Sequence, residues 1–207
     1  MKFTTRAGLA IAVMLSAGLA NAQWSANMGW ASEYHYRGIF QHSSSANGGV
    51  DYESGGFYAG TWAADVGDGL EVDGYFGYGG DAGDFTYGVG FTGYYYTGDF
   101  DDTYQEINLS GGYSLLTLDV AIGQYDNFSG PTQDYTYYSL TAEKNGFYGK
   151  YAGFSQDFKG EYFEIGYGTT VAEIDIGLSV IFANKDLVGI SDESAVFTIG
   201  KSFDFGK

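Results

Sequence analysis

The stretch Ala172–Phe182 most constrains what this chain can become. Its even positions from Ile174 onward are Ile174, Ile176, Leu178, Val180 and Phe182; between them stand Asp175, Gly177 and Ser179, with Ile181 the one exception. A period of two describes a strand with one apolar face and one polar or small face. Leu116–Ile122 repeats it, with Leu116, Leu118, Val120 and Ile122 against Thr117, Asp119 and Ala121. Leu70–Tyr78 repeats it again, with Leu70, Val72, Phe76 and Tyr78 against Glu71, Asp73 and Tyr75. A carboxylate recurs in mid-strand on the polar face. A closed sheet with a polar interior and a lipid-facing exterior accounts for that recurrence.

Applied to the whole chain, the same reading gives about twelve strands of about ten residues. They cover Gln23–Arg37, Ser44–Glu53, Phe57–Val66, Leu70–Gly79, Phe85–Tyr96, Thr103–Tyr113, Leu116–Tyr125, Tyr135–Lys144, Phe147–Asp157, Glu161–Gly168, Ala172–Ala183 and Glu193–Phe203. Gly38–Ser43 reads as a loop. Asn145-Gly146 is the strongest hairpin signal, because both residues tolerate the positive φ of a type I′ turn. Connections after odd-numbered strands include the longer or more acidic ones; most of those after even-numbered strands are short. The expected fold class is all-β, a closed antiparallel transmembrane barrel. An open sheet of this size would leave edges unpaired, which is costly in water and worse in lipid. A soluble sandwich also alternates, and would leave the carboxylates facing water.

Aromatic residues gather toward strand ends, at Trp24, Tyr34 and Tyr36, Tyr94–Tyr96, Tyr135–Tyr138, Phe203 and Phe205. They are expected to form girdles at the lipid headgroups. Residues 1–22 read as an export signal: Lys2 and Arg6 precede an apolar run, Ala7–Leu19, and Ala20-Asn21-Ala22 forms a cleavage site. The mature barrel would be residues 23–207, and losing Lys2 and Arg6 would take the formal charge from −17 to −19. Such acidity disfavours nucleic acid and favours cations. Cysteine is absent, which removes disulfides, thiol chemistry and thiolate metal sites.

From Ser32 onward the sequence resembles the TorF family of outer-membrane porins. The carrying residues are Ser32-Glu33-Tyr34-His35-Tyr36-Arg37-Gly38, Gly49-Val50-Asp51-Tyr52, Gly56–Ala63, Leu70–Tyr75 and the ending Phe197–Phe203. The resemblance is specific over about residues 32–79 and looser elsewhere. It implies a porin-like barrel but no particular solute.

Strand parity nominates a pore-lining set of Glu33, Arg37, Asp51, Asp65, Glu71, Asp73, Glu106, Asp119, Glu143, Lys150, Glu164 and Asp175. Acidic residues around a water-filled channel attract cations and repel anions. The expected function is passive diffusion of small hydrophilic solutes, preferentially cations, across a bacterial outer membrane, with membrane lipids as the other partner. A cross-strand carboxylate is the expected partner of Arg37. Two alternatives stand beside the porin: a plugged structural or adhesive barrel, and a lipid hydrolase using His42 and Ser44 in a serine-rich loop. No cofactor is called for, no catalytic residue is assigned and no metal cluster is visible. Asp99, Asp101 and Asp102 lack the rest of a calcium-binding loop, and a solvated acidic loop is the expected role.

Overall fold

The computed structural model describes residues 22–206; the expected export signal therefore lies almost wholly outside the described residues. Twelve strands follow in order: β1 (Gln23–Tyr36), β2 (Ile39–Ser54), β3 (Phe57–Gly67), β4 (Gly69–Ala82), β5 (Phe85–Tyr96), β6 (Tyr104–Tyr113), β7 (Leu116–Tyr125), β8 (Gln133–Lys144), β9 (Phe147–Gln156), β10 (Gly160–Val171), β11 (Ile174–Ala183) and β12 (Asp192–Asp204). A short helix, α1 (Lys185–Val188), precedes β12. Each strand pairs antiparallel with its sequence neighbours, and β1 pairs with β12 to close the barrel. The closed, antiparallel all-β expectation is met.

One end of the barrel is built from two-residue turns: 55–56, 83–84, 114–115, 145–146 and 172–173. Asn145 and Gly146 take φ of 55° and 83°, the pair of positive values that a type I′ turn needs. The opposite end carries the longer connections, 97–103, 126–132 and 184–191, together with three short ones. The asymmetry is sharper than the sequence suggested, because β4 runs on to Ala82 and leaves only Gly83 and Asp84 to turn.

The outward face is apolar along most of the wall. Leu118, Leu140, Leu178 and Ile199 are 52%, 48%, 59% and 41% exposed. Such a surface is stable against lipid and unstable against water.

Three sequence expectations change. Gly38–Ser43 is mostly strand: β1 and β2 run on to a turn at Arg37 and Gly38 alone. Arg37 and Gly38 have positive φ, so the hairpin reverses too tightly to need a loop. Second, β3 presents the opposite face from the one expected. Ala64 and Val66 are buried with Tyr34, and Trp62 packs on them, so Tyr58, Trp62 and Val66 turn inward and Asp65 turns outward. Third, the tyrosines at the long-loop ends are not all girdle residues. Tyr34, Tyr94, Tyr135 and Tyr137 are buried inside, whereas Tyr95 is exposed.

Candidate functional site

The interior at the long-loop end is filled. Arg37, at the tip of the β1–β2 turn, folds into the barrel and grips Glu106 of β6 with two bonds, Nη1 to Oε2 at 2.9 Å and Nη2 to Oε1 at 2.6 Å. This bidentate geometry is the strong form of the Arg–carboxylate pair. The partner lies across the barrel interior rather than on an adjacent strand. Glu106 also accepts from Tyr94, Tyr135 and Asn108, so a fully buried carboxylate has every oxygen occupied, as a buried charge requires. The guanidinium lies 4.1 Å from the ring centroid of Tyr137, a cation–π contact.

Rings complete the filling. Tyr104 stacks on Tyr125 with centroids 4.3 Å apart, and Tyr135 stacks on Phe158 at 5.1 Å. Tyr137 and Tyr162 share a hydroxyl–hydroxyl bond of 3.0 Å. From α1, Leu187 and Val188 pack on the same cluster, held by Asn184, whose side chain accepts from the Leu187 N–H and so caps the helix.

Beside this cluster β4 contributes two carboxylates. Glu71 accepts from the hydroxyls of Tyr34 and Tyr96. Asp73, 1% exposed, has neither oxygen hydrogen-bonded.

The short-turn half of the interior is different. Several of its side chains are short, polar and exposed, among them Thr86, Ser110 and Thr170, while the rings of Tyr58, Tyr75 and Tyr148 lie over interior glycines. Asp119 accepts from Ser110 at 2.7 Å and Ser139 at 3.3 Å. Glu164 accepts from Tyr148 at 2.5 Å, with Lys150 Nζ 3.8 Å away on the paired strand. Asp175 accepts from Thr170 at 2.6 Å. Asp51 accepts from Tyr75 at 2.5 Å. Glu143 is exposed next to the 145–146 turn.

Two members of the nominated set lie elsewhere. Asp65 is on the outward side of β3, where Oδ1 accepts from the Gly67 N–H. Glu33 bonds His35 at 2.9 Å on the side of β1 away from buried Tyr34. Ala31 and Tyr34, three residues apart, are both buried. The alternation therefore slips by one residue between them and carries Glu33 out. The other carboxylates, with Lys150, share the interior parity of their strands, and Arg37 reaches the interior from the turn.

The residues that sequence reasoning missed are the interior rings. The signal was present: Tyr94 and Tyr96 share parity with Thr92, and Tyr135 and Tyr137 with Ser139 and Thr141. His42 and Ser44 lie on a strand, not a loop. The Ser44 hydroxyl accepts from Trp30 Nε1 at 3.1 Å, while His42 lies against Gly67. Asp101 accepts from Tyr104 and Tyr125, and Asp102 from the Phe128 N–H. These carboxylates tie loops 97–103 and 126–132 to the barrel, and no group suited to a metal ion occurs among the described residues.

The profile of a family described as a bacterial protein of unknown function (Gcw_chp) matches residues 17–148. No curated protein sequence matches the chain. Among solved structures, a protein from a study of the in-meso crystallization of membrane proteins is similar with a TM-score of 0.58 at 9% identity, over 88% of this chain and 84% of that one. That likeness supports the barrel fold. Pseudomonas aeruginosa OpdK with vanillate matches with a TM-score of 0.41 at 15% identity, over 79% of this chain. Acinetobacter baumannii OccAB3 matches at 0.44 and 15%, over 92%. The chain spans 57% and 66% of those two proteins, less than two thirds of either.

Proposed function

We propose that this chain, which belongs to the Gcw_chp family of bacterial proteins of unknown function, is an outer-membrane porin-like barrel for small hydrophilic solutes, with cations preferred. The observation that carries this reading is its inverted polarity. Apolar side chains form the outer wall, and carboxylates, hydroxyls and one Lys–Glu pair line the short-turn half of the interior. A soluble barrel would be built the other way round. The resemblance of residues 32–79 to the TorF porins is consistent with it. Export by residues 1–22 and insertion with the two-residue turns on the periplasmic side belong to the same proposal.

The cation preference follows from charge. Within the interior the carboxylates outnumber Arg37 and Lys150, and a fixed negative lining concentrates cations. The Arg37–Glu106 cluster is then the constriction. The same cluster favours a second reading, a barrel that stays closed and serves a structural role.

Single-channel recording in a planar bilayer under a KCl gradient separates them. Discrete steps with a cation-selective reversal potential are expected. Unselective steps would remove the cation preference. Silence from heat-modifiable, folded protein, persisting in Arg37→Ala, would leave the closed barrel.

A further inference from the structure

The hairpin of β1 and β2 leaves the barrel wall before it turns. β1 pairs with β12 only from Ser25 to Ala31, although its ladder to β2 runs on to Tyr36. β2 pairs with β3 only from Asn47 to Ser54, although its ladder to β1 begins at Ile39. Residues 32–46 are therefore a two-stranded finger with no ladder to either neighbour. At its base a serine hydroxyl stands on each side. Ser32 Oγ accepts from the Phe197 N–H at 2.9 Å, and Ser45 Oγ donates to the Asp65 carbonyl at 2.7 Å. The base is also irregular: the β1–β2 ladder skips Ser32 and Ser44, Ser44 has a φ of 59°, and the register shifts again after Tyr34. Such irregularities bend a hairpin.

The finger crosses the lumen. Tyr36 packs edge-on to Tyr94 of β5, and the Arg37 guanidinium sits on Glu106 of β6 and over the Tyr137 ring of β8. At Gly38 an added Cβ would stand 3.1 Å from the Tyr162 Cβ of β10. In a ring of twelve strands, β6 and β8 stand opposite β1 and β2. A two-stranded hairpin is at best marginally stable alone, so the contacts of the tip set where this one lies. Among them the bidentate Arg37–Glu106 pair is the strongest.

We propose that residues 32–46 are a hinged lid, latched by Arg37 on Glu106, that swings about its base at Ser32 and Ser44 to open the barrel mouth. Swung outward, residues 32–36 of β1 come alongside residues 192–197 of β12, the part of that strand which its ladder to β1 leaves out, and complete the seam. This rests on the porin-like reading and deepens it by naming the moving part.

The chain has no cysteine, so an introduced thiol reports alone. Ile39, on the finger, packs against the buried cluster. In folded barrels, Ile39→Cys should react slowly with a polyethylene glycol maleimide. Adding the near-isosteric Glu106→Gln, which strands the Arg37 charge, should speed that reaction at least about tenfold, as loss of a charged hydrogen bond implies, with the heat-modifiable gel shift unchanged. Adding Tyr135→Phe instead removes a bond to the same carboxylate but leaves the ion pair, and should speed labelling far less. No acceleration by Glu106→Gln, or equal acceleration by both, would overturn the lid. A second arm ties the tip down: Gly38→Cys and Tyr162→Cys stand close enough for a disulfide after a small shift. In planar bilayers this pair should conduct several-fold more when reduced than when disulfide-linked. Equal current in both redox states would overturn the lid and leave the porin standing. Accelerated labelling without current in either state would support the lid while removing the channel.

Discussion

The two halves of the barrel interior are made by the same twelve strands and differ in almost every respect. Toward the long loops, the inward positions carry large rings and paired charge: Tyr34, Tyr94, Tyr135, Tyr137 and the Arg37–Glu106 pair, all buried or nearly so. Toward the two-residue turns the same parity carries Thr86, Ser110, Asp119, Thr170 and Asp175, partly or fully exposed. Interior parity therefore defines a location and not a chemistry. One half is packed like a protein core; the other mixes buried tyrosines, Tyr75 and Tyr148, with exposed polar side chains. A passage, if it opens, must open through the first.

The largest effect should come from breaking the packed half. Arg37→Ala leaves Glu106 charged, buried and without its guanidinium, a change that costs on the order of 3–5 kcal/mol. Urea unfolding from lipid vesicles should show that loss, and single-channel steps should become larger or more frequent. Arg37→Met combined with Glu106→Gln should recover most of the stability, because neither partner is then an orphaned charge.

On the wall that both halves share, Leu178 is 59% exposed in mid-strand. Leu178→Lys should cost about 2–4 kcal/mol in the same unfolding experiment if it sits at the bilayer midplane. A negligible cost would mean that this face does not meet lipid. Within the packed half, Tyr135→Phe removes one of the donors to Glu106 and should cost about 1–3 kcal/mol.

The smallest effect on stability belongs to the short-turn half. Glu143→Gln with Asp175→Asn should change it by no more than about 0.5 kcal/mol. The same pair should move the KCl reversal potential toward zero. A stability loss as large as that of Tyr135→Phe would erase the distinction between the halves.

Most of the barrel was legible in the sequence because a closed sheet with an apolar outer face and a polar inner one imposes a period of two. Strand number, the closed antiparallel class, the Asn145-Gly146 turn and the wall residues of β7 and β11 follow from that period. The departures in β3 and among the tyrosines share one cause: hydrophobicity alone does not decide which face of a strand looks outward. In β3 the larger residues, Tyr58, Trp62 and Val66, fill the interior, while Ala59, Thr61 and Ala63 face out beside Asp65. Tyrosine suits both a headgroup girdle and a packed lumen, so Tyr94 and Tyr95 could not be separated by type, only by position. The turn at Arg37 was hidden for a different reason. Its reach to Glu106 spans 69 residues, and no local pattern announces a contact made through the middle of a barrel. Gly38–Ser43 suggested a loop by composition; pairing of Ile39, Phe40, His42 and Ser43 with β1 makes most of it strand.

The seam between β1 and β12 carries a consequence for biogenesis. Every other ladder joins strands adjacent in sequence, so eleven hairpin contacts can form locally and early, each closing only a short loop. The seam instead joins Ser25 to Asp204 and Ala31 to Thr198. Closing a loop of that length costs about 2 kcal/mol more entropy than closing a hairpin-sized one. Until it forms, the curled sheet has two bare edges that neither water nor lipid tolerates equally well. Assembly of this chain is thus a zipper with a late clasp. The pairing with the largest entropic cost is the meeting of β1 with β12.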